Sequence, residues 1–167
     1  TSHNNELLGA WGNFVNRTLI FITKYLDGRV PDGSLEKGLE EEIDRLYDEI
    51  GKKVEGGRFK EAIDDIFAFV RFSNKYFDLG KPWITRNTSL RDCRDTLYNC
   101  VQLIVNLAVL LEPFLPFSSE KVLGWFLLDS SWKRKTVPTG FVIPETEILF
   151  RRIDRERIGK EEEKLRA

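Results

Sequence analysis

Residues 89–117 read SLRDCRDTLYNCVQLIVNLAVLLEPFLPF, and the spacing inside this stretch decides the fold class. Leu90, Leu97, Val101, Ile104, Ala108 and Leu111 recur at helical steps, the pattern of a helix with a buried face. Asn87 or Ser89 stands where a short polar side chain can cap the first turn. Pro113 and Pro116 stop the helix near Glu112, because proline lacks the N–H that a continuing helix needs. The run 101–111 is the longest apolar stretch of the chain, yet Gln102 and Asn106 interrupt it, and it falls short of the roughly 18 apolar residues of a bilayer span. A membrane-spanning helix is excluded. Cys93 and Cys100 lie seven positions apart in the same helix. A rise of about 1.5 Å per residue separates their backbones by roughly 10 Å, too far for a disulfide, so both read as buried thiols.

The flanking sequence repeats the helical theme. Leu8, Trp11, Val15, Ile22 and Leu26 mark a first helix over 5–26, followed by a loop containing Asp27, Gly28, Pro31, Asp32 and Gly33. Ser34 is a candidate N-cap for a second helix over 35–54. Beyond Gly56 and Gly57 a third helix runs from about 58 to 79, with Phe59, Ile63, Ile66, Val70, Ser73 and Phe77 on one stripe and Gly80 placed to end it. Pro82 disfavours helical geometry at Lys81, so Lys81, Pro82 and Trp83 are expected to leave the helix as an extended turn. Ser118 or Ser119 opens a shorter fifth helix through Val122, Leu123 and Phe126. Residues 132–150 differ: Pro138, Gly140 and Pro144 surround Phe141, Val142 and Ile143, a short run expected to be irregular or extended. A charged final helix is expected over 154–165. The predicted architecture is a single all-α domain over 1–167, a bundle of about five helices.

The 167 residues are 41% hydrophobic and 12% aromatic, enough for one sizeable core. Net charge is −1, from 26 basic and 27 acidic residues, so total charge announces no polyanion partner. The distribution is less even. Acids crowd 36–49, while Arg17, Lys24, Arg71, Lys75, Lys81, Arg86, Arg91 and Arg94 flank them and permit a local basic face. The single histidine, His3, and two cysteines at the wrong spacing do not make a metal site. Without methionine or a leader pattern, the chain reads as a cytoplasmic fragment that starts further upstream. No phosphate loop, nucleophile elbow or histidine base is present, so no catalytic residues are assigned.

Two features point to binding instead. At about 100° per residue, Asn13 and Arg17 lie about 40° apart, roughly opposite the stripe of Leu8, Trp11 and Val15. An amide beside a guanidinium can read a base edge while anchoring a phosphate; the competing reading is an ordinary solvated pair. Trp83, held after Pro82, can offer its indole face to an unstacked base; the competing reading is a plug over the bundle end. Trp11 belongs to the core stripe.

These positions also carry a family resemblance. Residues 8–19, LGAWGNFVNRTL, resemble the opening helix of methionyl-tRNA synthetase anticodon-binding domains, typically LGNxxNR. Residues 74–78, NKYFD, leading to Pro82 and Trp83, resemble NKYxDxxxPW. Residues 111–121 resemble LxPFxPxxAEK, and 149–154 resemble the closing LFPRIE. The resemblance implies a helical bundle that grips the anticodon stem-loop of tRNA and reads CAU in single-stranded form. Asn13 and Arg17 would contact the anticodon bases, and Trp83, positioned by Pro82, would stack on the first of them. It further implies that ATP, magnesium and methionine are handled by a catalytic domain of the same longer chain, toward which 154–167 would pack. Leu79, Gly80 and Lys81 stand where the family commonly has acidic residues, and Trp11 occupies a usually smaller site. The alternatives are the corresponding domain of another class I synthetase and a helical protein-interaction module.

Overall fold

The buried stretch 96–111 sets the architecture, because all sixteen of its residues are hidden and a helix buried all round must be enclosed by others. The computed structural model describes residues 2–144 and contains six helices among them. They are α1 (Ser2–Tyr25), α2 (Lys37–Glu55), α3 (Phe59–Gly80), α4 (Pro82–Thr88), α5 (Leu90–Leu111) and α6 (Pro116–Trp125). α5 is the central rod, packed against all five others. Ser89 caps it, its hydroxyl accepting from the Asp92 N–H at 3.4 Å. The all-α bundle expected from the sequence is therefore observed, with one additional short helix, α4. The final helix expected over 154–165 lies outside the described residues.

The two amides that interrupt the apolar run of α5 hold the irregular segment after α6. Gln102 donates to the Val137 carbonyl at 2.9 Å and accepts from the Val137 N–H at 2.8 Å. Asn106 donates to the Lys135 carbonyl at 3.0 Å and accepts from the Lys135 N–H at 2.8 Å. Four helical residues rise about 6 Å and two extended residues about 6.6 Å, so side chains one turn apart match alternate residues of an extended backbone. Further along, Val142 forms an isolated antiparallel bridge with Arg29, and no strand is present among the described residues. Asn99 plays the same part at the α2 entrance, accepting from the Glu36 N–H at 3.0 Å and donating to the Ser34 carbonyl at 3.1 Å.

Several local expectations are corrected by packing. Ser34 does not cap α2; Glu36 is the N-cap residue, and its orphan N–H is satisfied by Asn99 from across the core. Ser118 and Ser119 lie buried inside α6, which Pro116 opens at its first position, where a missing N–H costs nothing. Lys81, Pro82 and Trp83 are not an extended turn. Lys81 alone leaves the right-handed helix, with φ 44° and ψ 55°, and Pro82 then starts α4. Gly80 is retained for space rather than for a left-handed cap. A Cβ there would lie 2.5 Å from Thr96 Cγ2 and 2.7 Å from its Oγ1. Gly80→Ala is accordingly expected to destabilise the domain by about 1–3 kcal/mol through overpacking, and Thr96→Ala in the same chain to recover most of the loss. Thermal melting of the single and double variants checks this, and an unchanged melting temperature for Gly80→Ala would contradict the close approach.

Candidate nucleic-acid interface

α1 and α3 are brought side by side by α5, and the partners they exchange are fixed by register. Asn13 Nδ2 donates to Asn74 Oδ1 at 3.1 Å, and the Arg17 guanidinium forms an ion pair with Asp78. Both pairs are separated by 61 residues, so one turn along α1 matches one turn along α3 and the two helices run parallel here. The amide orientation follows from the network. Asn74 Nδ2 donates to the Ala10 carbonyl at 3.0 Å, so Asn74 must present its oxygen to Asn13, and Asn13 must donate its Nδ2. One amide proton and the carbonyl oxygen of Asn13 have no partner among the described residues, a donor and an acceptor side by side.

Arg17 reaches further. Its Cζ lies 4.3 Å from the centroid of the Phe77 ring, and that ring neighbours Trp83 at 6.2 Å between centroids, tilted by 32°. Phe77 is buried at 4% exposure whereas Trp83 is 46% exposed, so a hidden ring supports an open one. Trp83 is therefore no sealed plug. Pro82, the first residue of α4, is buried, and its carbonyl accepts from the Cys93 thiol at 3.7 Å. Burial pushes the Cys93 thiol above its ordinary pKa, which keeps the donor proton in place. The turn carrying Trp83 is thus tied to the central helix.

The structure brings together all the residues singled out by sequence, Asn13, Arg17, Pro82 and Trp83, with one revision. Arg17 does not stand free in solvent opposite the core stripe; its side chain is only 29% exposed and is clasped by Phe77 and Asp78. Sequence reasoning did not assign Asn74, Phe77 or Asp78 to the site. The available signal was that Asn74 and Asp78 repeat the four-residue spacing of Asn13 and Arg17. Further along the same face, Tyr25 contacts Phe21 at 4.8 Å between centroids, and Arg86 of α4 lies over Tyr25 at 4.1 Å.

Charge is distributed unevenly between this face and α2. On α2, Arg45 pairs with Glu42 and Glu49, Arg134 reaches Asp44 at 3.0 Å, and Lys53 pairs with Asp65. Several charges of the acidic helix are thus paired, within α2 and with Asp65 and Arg134 outside it. Arg29, Arg86 and Arg94, by contrast, have no carboxylate partner among the described residues. Among those residues no cluster of three or more metal-ligating side chains occurs, and no helix is long and apolar enough to cross a membrane.

Residues 36–163 match the family described as the anticodon-binding domain of tRNA ligase. The chain belongs to that family. A methionine–tRNA ligase of Bacillus cereus is 50% identical over 166 residues, covering 98% of this chain and 30% of its own length. Methionine–tRNA ligase 1 of Alkaliphilus oremlandii is 45% identical over 165 residues, covering 98% of this chain and 31% of its own. The chain thus spans about a third of the length of the curated relatives it matches. Among solved structures, the methionyl-tRNA synthetase of Mycobacterium tuberculosis in its free state superimposes with a TM-score of 0.72 at 26% identity, over 86% of this chain and 31% of that one. The same enzyme bound by methionyl-adenylate gives 0.74 at 25% identity, over 84% and 30%. An anticodon-binding domain of this family has to offer its ligand a partly open surface, and the face of α1, α3 and α4 has that character.

Proposed function

We propose that this anticodon-binding domain serves a methionine–tRNA ligase and reads the CAU anticodon as single-stranded RNA through Asn13, Arg17 and Trp83. The observation that carries the reading is the continuity of Arg17, Phe77 and Trp83, a guanidinium and an indole joined across one buried ring. The indole supplies a platform for the first anticodon base, the cytosine. Asn13, oriented by Asn74, offers a donor and an acceptor to a base edge, and the guanidinium protons of Arg17 not used by Asp78 serve an edge or a phosphate. Pro82 sets the position of Trp83. Methionine, ATP and magnesium belong to a catalytic domain of the same longer protein, which works in the cytoplasm, and tRNA is the shared partner of both parts. The chemistry of ligation proceeds there, while these residues contribute recognition.

A stem-loop titration tests the proposal. At fixed salt, an RNA hairpin carrying CAU is expected to bind at least tenfold more tightly than one whose first anticodon base is changed. Affinity should also fall steeply as salt rises, because phosphate contacts release counterions. Equal, weak binding of both hairpins would overturn the reading. Hairpin binding that ignores salt would contradict the phosphate contacts.

A further inference from the structure

Beside the Trp83 platform, a cleft of about 320 Å³ opens between the end of α1, the start of α5 and the 139–140 corner, within the usual 300–1,000 Å³ of small-ligand sites. Tyr25, Arg29, Leu90, Arg94, Thr139 and Gly140 line it. Three observations make it more than a surface irregularity. It is continuous with the proposed anticodon face, since Tyr25 is both a wall of the cleft and the ring on which Arg86 rests, and Arg86 lies one helical turn beyond Trp83. Its two arginines have no carboxylate partner among the described residues. Its walls are also set in place by backbone bonds. The Val30 N–H donates to the Phe141 carbonyl at 2.9 Å, the Gly140 N–H to the Val30 carbonyl at 2.8 Å and the Ile143 N–H to the Gly28 carbonyl at 2.8 Å. Gly28 and Gly140 take the positive φ values, 66° and 87°, that let the two segments turn tightly enough to pair.

We propose that this cleft seats a backbone phosphate of the same RNA strand whose base stacks on Trp83, with Arg29 and Arg94 as its ligands. The inference rests on the anticodon-binding reading and extends it from the bases to the strand. Guanidinium groups suit phosphate because their planar fork matches two of its oxygens. Tyr25 and the exposed Leu90 provide apolar cover for the ribose between phosphates. Asp27 and Asp32 also line the cleft, and their negative charge leaves the arginine-lined part as the place for an anion. A phosphate contact carries no sequence information but fixes register, which a platform made of one exposed indole does not do alone.

The test uses Arg29→Gln and Arg94→Gln in this chain, titrated with the CAU hairpin and with the hairpin altered at the first anticodon base, across a salt series. Each variant is expected to weaken both hairpins by the same factor, roughly three- to tenfold near 0.1 M salt. Because both arginines serve one phosphate, the double variant should reduce the slope of log affinity against log salt by about 0.7, the value for one single-strand phosphate contact, and each single variant by part of that. Arg94→Lys is expected to retain the slope, since the charge remains. Both arginines are on exposed positions, and unchanged melting temperatures would exclude misfolding. Unchanged affinity and slope in both variants, with the unmodified chain still preferring CAU, would overturn this site and leave the anticodon reading standing. Loss of preference in the unmodified chain would overturn the anticodon reading itself.

Discussion

Trp83→Ala is expected to weaken binding of the CAU hairpin by roughly 5- to 150-fold, from the about 1–3 kcal/mol that one base–aromatic stack contributes. The indole is nearly half exposed and leans on Phe77, which is itself buried in the bundle. The fold should therefore survive. For a domain of this size 1 kcal/mol corresponds to about 2–4 °C, and the melting temperature is expected to move by no more than that. Trp83→Phe should keep most of the affinity, because a ring of smaller area still stacks. Calorimetric or fluorescence titration beside a thermal melt separates the outcomes. Unchanged affinity would remove Trp83 from the site, and a collapse in melting temperature would make it a packing residue.

The second large effect lies in the core. Asn106→Leu keeps the number and branching of the side-chain heavy atoms and adds apolar surface, yet it is expected to destabilise the domain by about 3–5 kcal/mol, since each buried polar group left without a partner costs about 1–3 kcal/mol. Three such groups are stranded. The Tyr47 hydroxyl donates to Asn106 Oδ1 at 2.8 Å, the Lys135 N–H donates to the same oxygen at 2.8 Å, and the Lys135 carbonyl accepts from Nδ2 at 3.0 Å. Tyr47 is buried enough that its hydroxyl holds its proton well above the ordinary range, so it stays a donor at any working pH. A fall in melting temperature on the order of 10 °C is expected for the variant. A fall of one or two degrees would show that the ladder between α5 and the 135–137 segment is dispensable.

The contrast between Asn106 and its apolar neighbours illustrates how far sequence reading reaches. Helical spacing and two prolines located α5 and its end near Glu112, because periodicity and the missing proline N–H act within a few residues. Gln102 and Asn106 were visible only as interruptions of a greasy run. Their partners, Val137 and Lys135, lie 35 and 29 positions away, and no local pattern specifies which loop a buried amide will hold. The Lys81 turn shows the same limit. Pro82 did expel Lys81 from the helix, but whether the chain then extended or began a new helix depended on α5 beneath it, where Cys93 binds the Pro82 carbonyl and Thr96 meets Gly80.

The sequence by itself determined an all-α chain, the approximate span of its long helices, and the place of Asn13 and Arg17 as polar groups opposite the core stripe of the first helix, while it left Trp83 open between platform and plug. Those properties arise from bond rotations, backbone donors and side-chain spacing along one segment. Only the tertiary structure decided that Asn13 meets Asn74, that Arg17 lies on Phe77 against Asp78, and that Trp83 leans on the same ring. These contacts depend on the parallel register of α1 against α3 and on the start of α4. Both are set by how side chains fill the space around α5, and each joins residues far apart in the chain.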